Sequence, residues 1–235
     1  MKEILFAVSV LGLTTLASCS EQYLVSGTSN VDGLDGKTLR LKVFSDGDMR
    51  TIDSSRVVHG KFTFKGVIDS VVMANVFVGD QSVMPVVLEN GEVKMKIETN
   101  MQTATGTPLN DSLSSFIQKK SVIDAQMAEL PHMESRMIMD GVDHDEILEV
   151  LGRQAMELEE QNDVLVTSFI RTNYNNVLGP GIFMILTSAY SYPILNPQIE
   201  DIISQAPPYF LSNQYVKEYI KAAESNMKKL REKDL

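Results

Sequence analysis

From Tyr23 to about Thr99 the apolar positions recur with a period of two. The stretch TLRLKVF, Thr38 to Phe44, sets Leu39, Leu41 and Val43 on one face and Arg40 and Lys42 on the other. KFTFKG pairs Phe62 with Phe64 against Lys61, Thr63 and Lys65, and VKMKIE pairs Val93, Met95 and Ile97 against Lys94, Lys96 and Glu98. Side chains alternate across a strand, so this pattern predicts sheet with one buried face. SVVMANVFV and VMPVVLE are more continuously apolar and read as central strands, with Pro85 at an edge or a strand start. Turn residues separate the runs: Asp32-Gly33, Asp35-Gly36, Asp46-Gly47, His59-Gly60, Gly79-Asp80 and Asn90-Gly91. Asn-Gly between two alternating runs predicts a hairpin there. About seven short strands so spaced predict a small antiparallel sandwich or barrel.

From Pro108 onward the period changes to three or four. Leu113, Phe116, Ile117, Ile123, Met127 and Leu130 line one face, and Pro131 predicts the end of that helix. A longer amphipathic helix follows, with Asp143 or Asp145 near its N-cap and Ile147, Leu148, Leu151, Met156, Leu158, Leu165 and Ile170 on its apolar side. LGPGIFMILTSAY reads as a buried helix opened by Pro180. NPQIEDIISQA reads as another, with Asn196 capping and Pro197 in the first turn. The last helix grows basic towards its C-terminal end, as the helix dipole favours. The fold class expected is therefore α+β: an antiparallel β-sandwich or barrel over 23–105, then a helical domain of roughly five helices over 106–235.

The residues before this pattern carry an address. Met1-Lys2 precedes an apolar run from Ile4 to Ala17, too short to span a membrane, and small residues lead to Cys19. Residues 1–18 read as a signal peptide, against the alternative of a buried N-terminal helix or strand. Leu16-Ala17-Ser18-Cys19 resembles the lipobox of bacterial lipoproteins. That resemblance implies cleavage before Cys19, diacylation through its sulfur, acylation of the new N-terminus (palmitate being a usual chain), and residues 19–22 as a tether. The competing reading is an ordinary signal-peptidase site. Two or three acyl chains hold a protein stably where one does not. The expected location is the cell envelope, the outer membrane before the inner, facing the periplasm or the surface.

The sequence holds one Cys, which excludes an intrachain disulfide and a Cys-x-x-Cys redox pair. A formal net charge of −10 opposes nucleic acid and anionic lipid headgroups as partners beyond the acyl anchor. The order of YLVSGTSN, GKTLRLKVF, Asp53-Ser54, Gly60-Lys61-Phe62, Leu88-Glu89-Asn90-Gly91 and Gly106-Thr107-Pro108-Leu109-Asn110, with the Asn-rich entry TNYNNVLGPGIFMIL, resembles a known family arrangement. It is that of the domain of unknown function that precedes the thioredoxin module in lipid-anchored thiol-disulfide oxidoreductases of the peroxiredoxin/TlpA-like group. The resemblance implies fold and location. It implies no activity, because no Cys-x-x-Cys is present and the domain itself has no established catalytic residues.

Candidate chemistry is sparse. His132, Glu134, Asp140, Asp143, His144, Asp145 and Glu146 offer metal-ligand types, but their spacing matches no defined site, and acids before Ile147 are what a helix N-terminus prefers. SDGDM and VDGLDG have Asp/Gly spacing without the bidentate Glu of a calcium loop, so hairpin turns are the expectation. Ser54, Ser55 and His59 could form a dyad only if the fold joined them. Met137 and Met139 read as core filler or an exposed pair. Tyr190, Tyr192 and Tyr209, near Pro193, Pro207 and Pro208, could line a groove for a peptide or glycan, the alternative being packing between helices. No metal or cofactor is expected. The functional expectation is a non-catalytic binding or accessory module, with an envelope protein partner, thioredoxin-like or other. The alternative is an envelope hydrolase or metal-dependent enzyme. An enzyme would gather several of these side chains in one cleft. A binding module would leave an apolar patch exposed.

Overall fold

The computed structural model describes residues 21–45 and 47–233. Eight strands come first: β1 (Glu21–Ser29), β2 (Thr38–Ser45), β3 (Asp48–Arg56), β4 (Lys61–Ile68), β5 (Val72–Val78), β6 (Gln81–Leu88), β7 (Gly91–Ile97) and β8 (Gln102–Thr105). Six helices follow: α1 (Pro108–Met139), α2 (His144–Thr172), α3 (Leu178–Ser188), α4 (Pro197–Ser204), α5 (Pro208–Ser212) and α6 (Gln214–Lys233).

The strands form two four-stranded sheets, in the orders β4-β1-β7-β8 and β3-β2-β5-β6, and they close no barrel. Pairing is antiparallel except between β1 and β7, which run parallel from Tyr23 opposite Gly91 to Ser29 opposite Ile97. The predicted alternation places the right faces inward. Val25, Leu39, Leu41, Phe64, Val76, Val86 and Val93 are fully buried between the sheets, and Met95 and Ile97 nearly so. Where β3 turns into β4 the two sheets are stitched by side chains: Ser55 Oγ accepts from Thr63 N (3.0 Å) and Asp53 Oδ2 from Lys65 N (3.0 Å).

Two readings of the strand region need correcting. Asn90-Gly91 is not a hairpin, because β6 and β7 belong to different sheets. The link turns the corner of the sandwich with Gly91 at φ +123, and β7 then pairs parallel to β1. Nor is the run containing Pro85 a central strand: β6 is the edge of its sheet. Its continuous apolarity arises because both faces are covered. Val86 and Leu88 enter the sandwich core, while Val87 enters a second core with the helices. Pro85, which lacks an N–H, sits where no further strand asks for one.

That second core joins Met73 and Val87 of the sheet to Leu113 and Phe116 of α1, Ile170 of α2, Phe183 of α3, Ile199 of α4, Phe210 of α5 and Val216 of α6. Helix α3 lies so close to β5 that a Cβ on Gly181 would sit 2.0 Å from the Met73 sulfur. Asn196 caps α4 as expected, its Oδ1 accepting from Ile199 N at 2.8 Å, with Pro197 next. Asp143 is the cap of α2 and accepts from Asp145 N at 2.9 Å. Pro131 does not end α1, which runs on to Met139. Proline removes one backbone donor and frees one carbonyl, and Pro131 is exposed, so the interruption lies where solvent can reach the helix. The short helix α5 has too few residues to show a period.

Candidate functional site

The polar candidates stay apart. His132 and Glu134 are exposed on the last turns of α1, and Asp140 follows that helix. His144, Asp145 and Glu146 form the exposed first turn of α2, where carboxylates meet the positive end of the helix. Among the described residues no group of three or more His, Cys, Asp or Glu side chains is placed to hold a metal ion. Ser55 Oγ is committed to Thr63 N, Ser54 offers its backbone N–H to Asp53, and His59 sits in the left-handed region (φ +51) at the β3–β4 turn without a hydrogen bond to either serine. Asp35 Oδ1 accepts from Gly60 N at 3.1 Å, so VDGLDG does turn work. Asp46 and Cys19 lie outside the described residues.

The tyrosines of the C-terminal third are largely spoken for. Tyr190 accepts from Asn196 Nδ2 (2.7 Å). Tyr219 accepts from Ile194 N (3.1 Å) and donates to Ile194 O (3.0 Å). Burial pushes the Tyr219 hydroxyl above the ordinary tyrosine value, and Tyr215 and Tyr190 add to this. Tyr192 and Tyr209 are each 55% exposed. Tyr209 borders a cleft of about 120 Å³ with Phe44, Met184 and Tyr215, and neither Tyr190 nor Tyr192 lines it.

Two features escaped the sequence reading. The first is a joint between sheet and helix. Glu89, 9% exposed, turns its Oε1 onto the N-terminus of α1 and accepts from Thr107 Oγ1 (2.6 Å), Leu109 N (3.1 Å) and Asn110 N (3.3 Å). Thr107 itself makes no capping bond, so a glutamate from another element supplies the acceptor that a helix start requires. Asn110 completes the joint. Its side chain accepts from Val87 N (2.9 Å) and donates to Val87 O (2.8 Å), as a neighbouring strand would at the edge of β6. The signal was present in Leu88-Glu89-Asn90-Gly91 and Gly106-Thr107-Pro108-Leu109-Asn110, but only the fold shows that the two motifs meet.

The second feature is an arm. Helix α1 has 32 residues and α2 has 29, so the longer is about 48 Å in length. The second core takes its α1 members from the first turns and its α2 members from the last ones. Beyond it the two helices are tied by Ile123, Ile147 and Leu158. Leu148 and Met156, expected on the packed apolar side of this helix, lie instead on its outer face, 56% and 71% exposed, with Val164 at 60%, because α1 and the second core cover only the opposite face. Gly152 lies in the row between Leu148 and Met156, and a Cβ there would meet nothing within 4 Å. This notch is bordered by Glu149, Glu157, Glu159, Glu160 and Asp163, with Arg153 beside them. Burial pushes the Asp163 carboxyl above the usual carboxylate range; the Glu159 charge adds to it, while a hydrogen bond from Asn162 opposes it. Glycine inside a helix costs about 1 kcal/mol against alanine, and no contact among the described residues requires one here.

By architecture this is an α+β protein, a two-sheet sandwich joined through a buried glutamate to a helical region with a projecting hairpin. Residues 23–113 match the family model of the domain of unknown function DUF4369. That match contains the sandwich but for the first two residues of β1, together with the Glu89–Asn110 joint, and it stops in the second turn of α1, before the arm. No curated protein matches the chain, and no solved structure does.

Proposed function

We propose that this chain is a lipid-anchored cell-envelope protein acting as a non-catalytic binding or accessory module, related to the front part of redox lipoproteins. Acylated Cys19 holds it to a membrane, the outer one before the inner, and the outer face of α2 docks an envelope protein. Leu16-Ala17-Ser18-Cys19 supports the anchor. The order of the motifs from YLVSGTSN to Gly106-Thr107-Pro108-Leu109-Asn110 supports the relation to domains that precede thioredoxin modules. A partner bringing the thioredoxin chemistry would act in trans. The observation that carries the docking role is the row Leu148–Gly152–Met156 with its acidic border. Apolar side chains left in water around a backbone notch fit an interface, where a few such anchors carry most of the affinity. The acids select a partner segment bearing Lys or Arg and repel acidic ones.

The test is co-purification from detergent-solubilised membranes. The unsubstituted chain should bring one partner in fixed ratio, and the Leu148→Glu/Met156→Glu double variant should lose it while folding normally. Equal recovery with both chains would refute the docking face. Cys19→Ala should move the chain from the membrane to the soluble fraction and abolish palmitate incorporation; retention in the membrane would refute the anchor.

A further inference from the structure

The outer face of the β4-β1-β7-β8 sheet repeats one sign of charge from row to row. Lys61 and Lys96 flank Thr28, Lys94 stands beside Ser26, and Lys65 beside Leu24. Thr105 and Thr103 of β8 continue the rows opposite Lys94 and Lys96. The lysines are exposed because the alternate residues Phe62, Phe64, Val93 and Met95 fill the sandwich. Among the described residues none of these four ammonium groups is ion-paired. Among the described side chains of these strands Glu92 is the acid on this face, and it accepts from Ser26 Oγ at 2.8 Å.

The net charge of −10 does not describe this face. Acids are dense on α2, at Glu157, Glu159, Glu160 and Asp163, and α2 packs on α1, α3 and α4. Exposed charges are largely screened beyond about 8 Å at physiological ionic strength, so a surface laid on the sheet meets its lysines and not the sum over the chain. Lysines of β4 and β7 stand two strand spacings apart, about 10 Å. Charges spread in this way suit a layer of anions; a single anion would need them to converge. Position along the chain says which layer. β1 is an inner strand of this sheet and starts at Glu21, two residues after Cys19. Two residues reach at most about 7 Å, and Glu21 and Gln22, expected in the tether, are already strand. A bilayer anchor at Cys19 therefore keeps the sheet close to the headgroups. Towards that end the face becomes apolar, with Val67 60% exposed and Leu24 half-buried beside Lys65.

We propose that this face lies on the anionic headgroups of the bilayer that holds Cys19, with Lys61, Lys65, Lys94 and Lys96 against lipid phosphates and Val67 and Leu24 on the side of the anchor. The proposal rests on the anchor reading and not on the outer face of α2. Basic residues near an anionic leaflet each add to its attraction, and a tethered face meets the surface at high effective concentration. The anchor supplies the hold, and the lysines choose which side of the sandwich faces the lipid.

A chemical anchor tests this apart from acylation in cells. The chain without residues 1–18, which keeps every described residue, is coupled through its one thiol, Cys19, to maleimide lipid. The vesicles are phosphatidylcholine alone or an equal mixture of phosphatidylcholine and phosphatidylglycerol. Amine acylation, mapped by mass spectrometry, should slow about fivefold at Lys61, Lys65, Lys94 and Lys96 on the anionic vesicles only. The exposed Lys119 of α1 and Lys217 of α6 should label equally on both. Lys94→Glu with Lys96→Glu should restore labelling of Lys61 and Lys65. Salt at about 1 M should do the same in the unsubstituted chain, because it shortens screening to about 3 Å. A failure here leaves the anchor reading standing, since that is judged by fractionation of Cys19→Ala. Equal labelling of the four lysines on both vesicles, slowing on neutral vesicles as well, equal slowing at Lys119 and Lys217, or protection that survives the double substitution or the salt would each overturn the proposal.

Discussion

The sandwich and the α1–α2 arm treat apolar side chains in opposite ways. In the sandwich, Leu39, Leu41, Phe64, Val86 and Val93 are fully buried, and the outward positions of β2, β4 and β7 are mostly polar, with Val67 of β4 an exposed exception at 60%. On the arm, Leu148, Met156 and Val164 are more than half exposed. Elsewhere the same chain buries such residues in two cores, the second of which takes in the base of the arm. The difference therefore separates two uses of the same chemistry. The sandwich spends most of its apolar surface on its own stability, and under the proposed function the arm keeps some of it for contact. The DUF4369 match follows the same division, covering the sandwich and joint and leaving the arm outside.

The comparison is broken or sharpened by substitutions on its two sides. Phe64→Ala, in the sandwich core, should cost about 3–5 kcal/mol, read as a large drop in the urea midpoint. Glu89→Ala should cost about 1–3 kcal/mol, because it removes the acceptor of the Thr107 hydroxyl and of the Leu109 and Asn110 N–H groups at the start of α1. Hydrogen exchange should then rise in the first turns of α1 before it rises in the strands.

Alkaline pH should weaken both regions. Tyr23 in the sandwich and Tyr174 and Tyr219 in the helices are pushed above the ordinary value of 10.0, chiefly by burial. The folded state thus keeps their protons longer than the unfolded one does. The stability they contribute is complete below pH 10 and is lost as pH rises through the folded values. A denaturation series from pH 8 to 11 should fall only at its upper end, and a flat series would contradict the burial of these hydroxyls.

The arm should behave differently. Gly152→Ala should raise stability by roughly 0.5–1 kcal/mol, because helix propensity improves and the added methyl meets nothing. The same change should weaken partner binding by filling the notch. Met156→Glu should leave stability within about 0.5 kcal/mol, as exposed positions do, and still reduce the partner recovered from membranes. A large loss of stability from Met156→Glu would show that this face is packed and not presented.

How much of this could be read from the residues depends on the range of the interaction. Phe62 and Phe64, or Val93, Met95 and Ile97, announce their buried faces because strand geometry is local. Asn196-Pro197 and Asp143 announce helix starts for the same reason. The partner of a strand is not local. Val-Leu-Glu-Asn-Gly followed by Val93 reads as a hairpin, yet β7 pairs with β1, and no pattern near residue 90 says so. Glu89 reads as turn chemistry until Thr107 and Asn110 are brought to it across the intervening strands. Pro131 reads as a stop, but exposure to water lets the helix continue. The arm's outer face was hidden too, since Leu148 and Met156 fit an amphipathic helix whose burial only tertiary packing decides.

The central claim is that the outer face of α2 contacts a protein in the envelope while the outer face of the sandwich does not. A photo-activatable amino acid placed at Met156, and in a parallel strain at the exposed Thr63 of β4, tests it in intact cells. The account predicts one discrete adduct from position 156, absent when Leu148→Glu is also present, and none from position 63. Equal adducts from both positions, or an adduct from 63 alone, would contradict it.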